Sequence, residues 1–229
     1  MTYPMTVVCD LDGTLAHTSP DIAVALNAAL APFGKQVSLA ETERMVGGGL
    51  RALLDNALRL TSLDLPPADV EAAFERLGAH YRASPAAMSS LHGWVAETMR
   101  ALHDEGARIA VCSNKSEDFC MAILEALGAM SWLDAVVGNI EGRKKKPDPE
   151  PLLLAISAAG GDLSRAVMVG DTAADVSAAR AAGIPVILVP HGYGSDDIRT
   201  LDADRIVSDR QNLRDAIDEL ASAFRGAAR

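Results

Sequence analysis

The sequence predicts an α/β fold: a doubly wound parallel sheet with a small all-helical domain inserted after its first strand. Three observations predict it. After Pro85, short continuous apolar runs alternate with helical stretches, as in a parallel sheet covered on both faces. Between the first apolar run and Pro85 the periodicity is helical only. The strand candidates run out in Asp, Ser, Asn and Gly, at the edge where such sheets bind ligands.

Residues 6–10 (TVVCD) read as a short buried strand, with Gly13 as a turn residue. From about Asp21 to Arg82 only helices are expected. Residues 21–30 are rich in Ala and Leu, and residues 50–60 (LRALLDNALRL) carry apolar side chains at i, i+3, i+4 and i+7. Residues 70–81 are similar, and no strand candidate interrupts the stretch. Residues 16–84 are therefore expected to form the helical insert, and residues 1–15 with 85–229 the α/β core. In the core, helices at 95–103, 116–127, 150–159 and 173–182 alternate with strands at 107–112, 135–138, 166–169 and 186–189. A last strand at 205–207 precedes a helix at 213–224.

The chain has 229 residues, enough for one core carrying a smaller insert. Aromatic residues make up only 4%, so the core must be built from Ala, Val, Leu and Ile. The net charge of −10 and the absence of a basic stripe argue against nucleic acid and anionic membranes as partners. One dense basic run, Arg143 to Lys146, stands out, of which Arg143, Lys144 and Lys145 read as a solvated face. Cys9, Cys112 and Cys120 are odd in number and widely spaced, which points to free thiols in a reducing, cytoplasmic compartment. Cys9 and Cys112 read as small buried hydrophobes, or as redox-sensitive thiols beside the site. No apolar run approaches the roughly 20 residues that span a bilayer. The chain enters its first strand almost at once, so no targeting segment is expected.

The strand ends carry the chemistry. The first ends in Asp10-Leu11-Asp12-Gly13-Thr14, the second in Ser113-Asn114-Lys115, and the fourth in Gly170-Asp171-Thr172 with Asp175 four residues beyond Asp171. Lys146 follows the third strand, before Pro147-Asp148-Pro149. Carboxylates gathered this closely repel one another unless a cation neutralises them. An all-oxygen set without His or Cys suits Mg²⁺, with Asp10, Asp171 and a main-chain carbonyl near Asp12 as protein ligands. Asp10 and Asp12 leave an extended strand end on the same side. One can attack phosphorus while the other protonates the leaving oxygen and then activates water. Lys146, the Ser113 hydroxyl and loop N–H groups would stabilise the transferring phosphoryl group.

D-x-D-G-T, a strand ending in S-N, K-P-x-P and G-D-x-x-x-D, in this order, resemble the phosphatases of the haloacid dehalogenase superfamily over essentially the whole chain. The resemblance implies a Rossmann-like core and an Mg²⁺-dependent hydrolysis of a small phosphorylated metabolite. It implies Asp10 as nucleophile and metal ligand, and Asp12 as acid/base that also offers its carbonyl to the metal. It implies phosphoryl contacts from Thr14, Ser113 and Asn114, and Lys146 bridging nucleophile and phosphate. Asp171 would bind Mg²⁺, with Asp175 in or near the second coordination shell. The helical insert resembles the family's cap, which closes over the site and chooses the substrate.

Val46-Gly47-Gly48-Gly49 and Gly192-Tyr193-Gly194 resemble the phosphoglycolate phosphatase subgroup, with Gly47 and Gly48 presenting N–H groups to an anion. Arg44 and Arg51 flank the glycines and could pair with a substrate carboxylate. One departure is that many relatives carry a proline where Leu91-His92-Gly93 stands here.

Plainer readings stand beside these. Asp175 suits the first turn of a helix, Ser113 and Asn114 suit an N-cap, and Gly47 to Gly49 suit a turn between helices. His80, His92, His103 and His191 show no partner spacing and read as structural or surface residues. Two other activities fit the same scaffold: a phosphomutase that returns the phosphoryl group to sugar, and a non-catalytic phospho-aspartate receiver. A monomer or a homodimer is expected.

Overall fold

The computed structural model describes residues 5–194 and 197–227. In chain order the elements are β1 (Thr6–Cys9), β2 (Ala16–His17), α1 (Ser19–Leu30), α2 (Leu39–Met45), α3 (Leu50–Leu60), α4 (Pro67–Ala83), β3 (Ser90–Leu91), α5 (Gly93–Asp104), β4 (Arg108–Ser116) and α6 (Glu117–Ala126). They continue with β5 (Ala135–Asn139), α7 (Glu150–Ala158), β6 (Ala166–Gly170), α8 (Ala173–Ala182), β7 (Val186–Leu188), β8 (Arg205–Ile206) and α9 (Arg210–Ala227). Six strands form one sheet in the order β5-β4-β1-β6-β7-β8, and every pair is parallel. From β1 the chain winds outward to β4 and β5, then returns to β6 and winds the other way. The switch point therefore lies at the carboxyl end of β1, which is where such sheets open a ligand crevice.

The apolar runs do what a two-sided sheet requires. Val7 and Cys9 face one side with Ile109, Val111, Val167 and Val169, against α5, α6 and α9. Val8 faces the other with Ala110, Cys112 and Met168, against Leu152 and Ile156 of α7 and Val176 of α8. The first of these clusters continues without a break into the inserted helices, through Leu26, Leu54, Leu77 and Tyr81. Within the insert, α1 packs along α4. Among the described residues no helix is long and apolar enough to cross a membrane.

Four elements differ from the expectation. Helix α2 was not expected, yet it starts with a capping box: Ser38 Oγ accepts from Glu41 N, and Glu41 accepts from Ser38 N. Strands β2 and β3 pair antiparallel over two residues each, where the chain leaves and re-enters the core. They are too short for any periodicity to show. Strand β4 runs to Ser116, with an irregularity after Cys112, so Ser113, Asn114 and Lys115 lie on its distorted end. They do not cap α6, whose N-cap residue is Ser116.

The β2–β3 junction also brings histidines together that share no spacing in the sequence. His17, His92 and His191 meet there: ring centroids are 6.0 Å apart for His17 and His92, and 3.8 Å for His92 and His191. Trp94 packs edge-on against His191. Burial, then the neighbouring His191 and His17, push His92 down from 6.5 to about 4, and its buried Nε2 has no hydrogen-bond partner among the described residues. A histidine that folds neutral leaves stability complete above its unfolded pKa and erodes it as pH falls towards the folded one. Urea unfolding midpoints should therefore fall between pH 6.5 and about 4, and His92→Gln should lessen that fall. Identical pH dependence in variant and parent would contradict this.

Candidate active site

Asp10 follows β1 directly and keeps the strand pairing through its N–H to the Val169 carbonyl at 2.9 Å. Its Oδ1 accepts from Leu11 N at 2.7 Å and pairs with Lys146 Nζ at 3.0 Å. Asp12 is held in the same way: Oδ1 accepts from Thr18 Oγ1 at 2.5 Å and pairs with Lys115 Nζ at 3.0 Å. In both, Oδ2 has no protein partner among the described residues. Between them the chain must turn sharply. Gly13 adopts φ 85°, and a Cβ there would lie 2.8 Å from Asp171 Oδ2, so only glycine fits.

The Asp171 carboxylate packs against that turn. It accepts from Thr14 Oγ1 at 2.5 Å and from Tyr193 N at 2.7 Å. Gly192 lets the chain pass, since a Cβ there would fall 2.1 Å from Asp171 Cβ. Tyr193 Oη accepts from Thr18 N and Ser19 N, capping α1 where none of that helix's own side chains does so. Asp175 combines both of its expected roles. It closes a capping box on α8 through Thr172, accepts from Asp171 N at 3.2 Å, and pairs with Lys146 Nζ at 2.6 Å.

Lys146 is the counter-charge of this cluster. It is 4% exposed, and its ammonium meets Asp10, Asp175 and the Cys112 carbonyl at 2.7 Å, which uses all three donors. Oxygens of Asp10, Asp171 and Asp175 lie within 4.8 Å of one another, all buried. One ammonium does not balance three carboxylates. Burial, with Asp175 and Asp12 adding and Lys146 opposing, pushes Asp10 up to about 6. Burial followed by Asp10 and Asp175 pushes Asp171 well above the carboxylate range. Burial works against the charge on Lys146, but Asp10 and Asp175 outweigh it and hold its pKa high. A buried all-oxygen set with surplus negative charge fits a hard divalent cation such as Mg²⁺.

Asp10, Asp12, Ser113, Lys115, Lys146 and Tyr193 help to line a cavity of about 20 Å³ at the switch point. Gly47 and Gly49 close it from the insert. Gly48 does not line it; its carbonyl accepts from Lys145 Nζ at 3.2 Å. Thr14 is fully buried and turned to Asp171, so its hydroxyl faces the carboxylate and not the cavity. Asn114 reaches the cavity wall, but its side chain is a strut: Nδ2 donates to the Gly47 and Lys146 carbonyls, and Oδ1 accepts from Lys146 N. Arg44 is exposed on α2 with its Nε turned back to the Ala40 carbonyl, and it does not line this cavity. Arg51 pairs with Glu71 at 2.7 Å over the Phe74 ring.

The basic run is not a uniform solvated face. Arg143 pairs with Glu117 and donates to the Gly138 carbonyl, Lys145 reaches Gly48, and Lys144 pairs with Asp148 while remaining exposed. The thiols near the site are inert hydrophobes: all three are free and buried, and burial pushes Cys112 up to about 12. Lys115 and Thr18 were missed as site residues. Lys115 was within reach, because it directly follows Ser113-Asn114.

A family model described as haloacid dehalogenase-like hydrolase matches residues 4–183. A phosphoglycolate phosphatase of Agrobacterium fabrum is 36% identical over 213 residues, 93% of this chain and 91% of that protein. One from Caulobacter vibrioides is 36% identical over 203 residues, 88% of this chain and 86% of that protein. Among solved structures, a predicted phosphoglycolate phosphatase from Haemophilus somnus superposes with a TM-score of 0.85 at 27% identity, over 94% of this chain and 99% of that one. CbbY from Rhodobacter sphaeroides, solved with phosphate, gives 0.73 at 26% identity, over 91% and 96%. With this order of motifs, this sheet and these relatives, the chain belongs to the haloacid dehalogenase-like hydrolase family.

Proposed function

We propose that the chain is an Mg²⁺-dependent phosphatase that hydrolyses a short phosphate monoester through an aspartyl-phosphate on Asp10, with 2-phosphoglycolate as its substrate. The chain is a phosphoric monoester hydrolase, as its curated relatives are named. One observation carries the mechanism: Asp10 and Asp12 each have Oδ1 tied down while Oδ2 has no protein partner among the described residues, beside a lysine in one cavity.

Asp10 Oδ2 attacks phosphorus as the bond from phosphorus to the ester oxygen breaks. Asp12 delivers its proton to the departing oxygen. Asp12 then takes a proton from water as that water attacks phosphorus, releasing inorganic phosphate and restoring Asp10. Lys146 holds Asp10 in place and offsets charge on the phosphoryl oxygens. Asp10, Asp171 and the Asp12 carbonyl would hold Mg²⁺, which when bound neutralises charge on the transferring group. Asp175, with both oxygens engaged, acts from behind by orienting Lys146.

Gly47 and Gly49 wall the cavity on the side of the insert. Residues 16–84 would act as a cap, with the Gly47–Gly49 loop drawing back to admit substrate and closing to exclude water. The subgroup assignment is supported by the relatives' names and by the Gly192-Tyr193-Gly194 turn that positions Asp171.

The test is phosphate release from a panel of esters. Turnover should be highest on 2-phosphoglycolate, fall to background in EDTA and return with Mg²⁺. Undiminished release in excess EDTA would overturn the metal dependence. A flat substrate profile would overturn the choice of substrate and leave the phosphatase chemistry standing.

A further inference from the structure

Lys115 is a buried charge that the phosphoryl chemistry above does not use. It comes from the end of β4 and is 6% exposed. Its Nζ lies 3.0 Å from Asp12 Oδ1 and 2.8 Å from the hydroxyl of Tyr81, a fully buried residue of α4. Burial works against its charge, but Asp12 and Tyr81 outweigh it and hold the ammonium above its ordinary pKa. An ammonium has three donors, and these two partners engage two of them. Lys146 differs, because protein oxygens take all three of its donors.

Lys115 lines the carboxylate cavity and also a second small pocket, of about 20 Å³, walled by Ile22, Leu50 and Leu53 of the insert. Whatever leaves with the ester oxygen enters the space between Asp12 and these walls. We propose that Lys115 is the specificity residue of the site, binding a carboxylate carried one carbon away from the ester oxygen. The proposal rests on the phosphatase reading and names the substrate class that this reading admits: short esters of 2-hydroxy acids.

The distances allow it. Asp12 must come within about 3 Å of the ester oxygen to protonate it. A carboxylate on the next carbon lies about 3 Å from that same oxygen by ordinary bond lengths. An anion pinned there falls beside Asp12, where Nζ already sits at 3.0 Å. It takes the third ammonium donor and offsets its own repulsion from Asp12. A neutral leaving group leaves that buried donor unpaired, which weakens binding.

The experiment compares 2-phosphoglycolate with ethyl phosphate, which carries a methyl group in place of the carboxylate. Lys115→Met removes a partner of Asp12 and so slows both esters; that common effect cancels in the ratio of their kcat/KM values. The ratio should fall about 50-fold, mainly through KM for 2-phosphoglycolate. A ratio within threefold of the parent's overturns the proposal.

Calorimetry with non-hydrolysable analogues in Mg²⁺ gives a readout that needs no turnover. The parent should bind 3-phosphonopropionate at least about 10-fold more tightly than propylphosphonate, and Lys115→Met should lose that preference. Equal affinities in the parent overturn the proposal even if the Met variant fails to fold. Should the parent hydrolyse neither ester, the phosphatase reading falls while the calorimetric pair still decides on Lys115.

Discussion

Asp10→Asn lowers kcat by about 10⁵-fold or more, the scale on which removal of a nucleophile acts. The fold stays in place. Asparagine keeps an oxygen for Leu11 N, and Lys146 keeps Asp175 and the Cys112 carbonyl. The change also removes one negative charge from a crowded cluster. Burial already pushes the Asp10 carboxyl up to about 6, so a neutral side chain is well tolerated there. The thermal midpoint of the variant should therefore equal or exceed the parent's at pH 7 without Mg²⁺. Residual turnover within about 100-fold of the parent would leave Asp10 without its role.

Lys146→Met acts on both activity and stability. The ammonium is the charge that meets both Asp10 and Asp175, and it is 4% exposed. Removing one partner of a buried ion pair leaves the other uncompensated, at about 3–5 kcal/mol. Catalysis loses a fixed positive charge at the phosphoryl group, which costs about 10³-fold in kcat. The sign of the pH dependence separates this from a packing defect. Asp10 and Asp171 already sit above the carboxylate range because they are buried, and losing Lys146 raises Asp10 further. The destabilisation should therefore be largest at alkaline pH and shrink as pH falls through about 6 and these groups take up protons. Urea unfolding of variant and parent in EDTA measures it, so that no cation replaces the ammonium. A deficit independent of pH would point to lost packing instead.

Most of the sheet was legible because its strands are buried on both faces and read as unbroken apolar runs, as at Val7, Val8 and Cys9. The parts that escaped are those whose order comes from partners distant in sequence. Strands β2 and β3 hold two residues each, and their pairing of His17 with Ser90 leaves no local signal. That pairing brings His17 and His92 together and makes a histidine cluster from residues without related spacing. Helix α2 did carry a signal, the Ser38–Glu41 capping box, that its weak apolar pattern obscured.

The same division holds at the site. Asp10, Asp12, Lys146 and Asp171 converge because each follows a strand at one edge of the sheet, and strand ends can be read from a sequence. Where a side chain points cannot. Thr14 and Asn114 are of the right type to hold a phosphoryl group, yet one hydroxyl faces Asp171 and one amide braces Gly47 and Lys146. Arg143 to Lys146 are neighbours in sequence with four different sets of partners. Lys115 depends on Tyr81, which lies 34 residues away in the inserted helices.

In the proposed mechanism the phosphoryl group passes through Asp10. Asp12→Asn cannot activate the water of the second step, while p-nitrophenyl phosphate carries a leaving group that departs without a proton. Mixing that variant with phosphorus-labelled p-nitrophenyl phosphate and Mg²⁺, then quenching in acid and mapping the peptides, tests the claim. Close to one label per chain is expected, labile to hydroxylamine, on the peptide that contains Asp10, and none when Asp10 is also changed to Asn. Steady phosphate release by the parent with no label on Asp10, or a label on another residue, would contradict it.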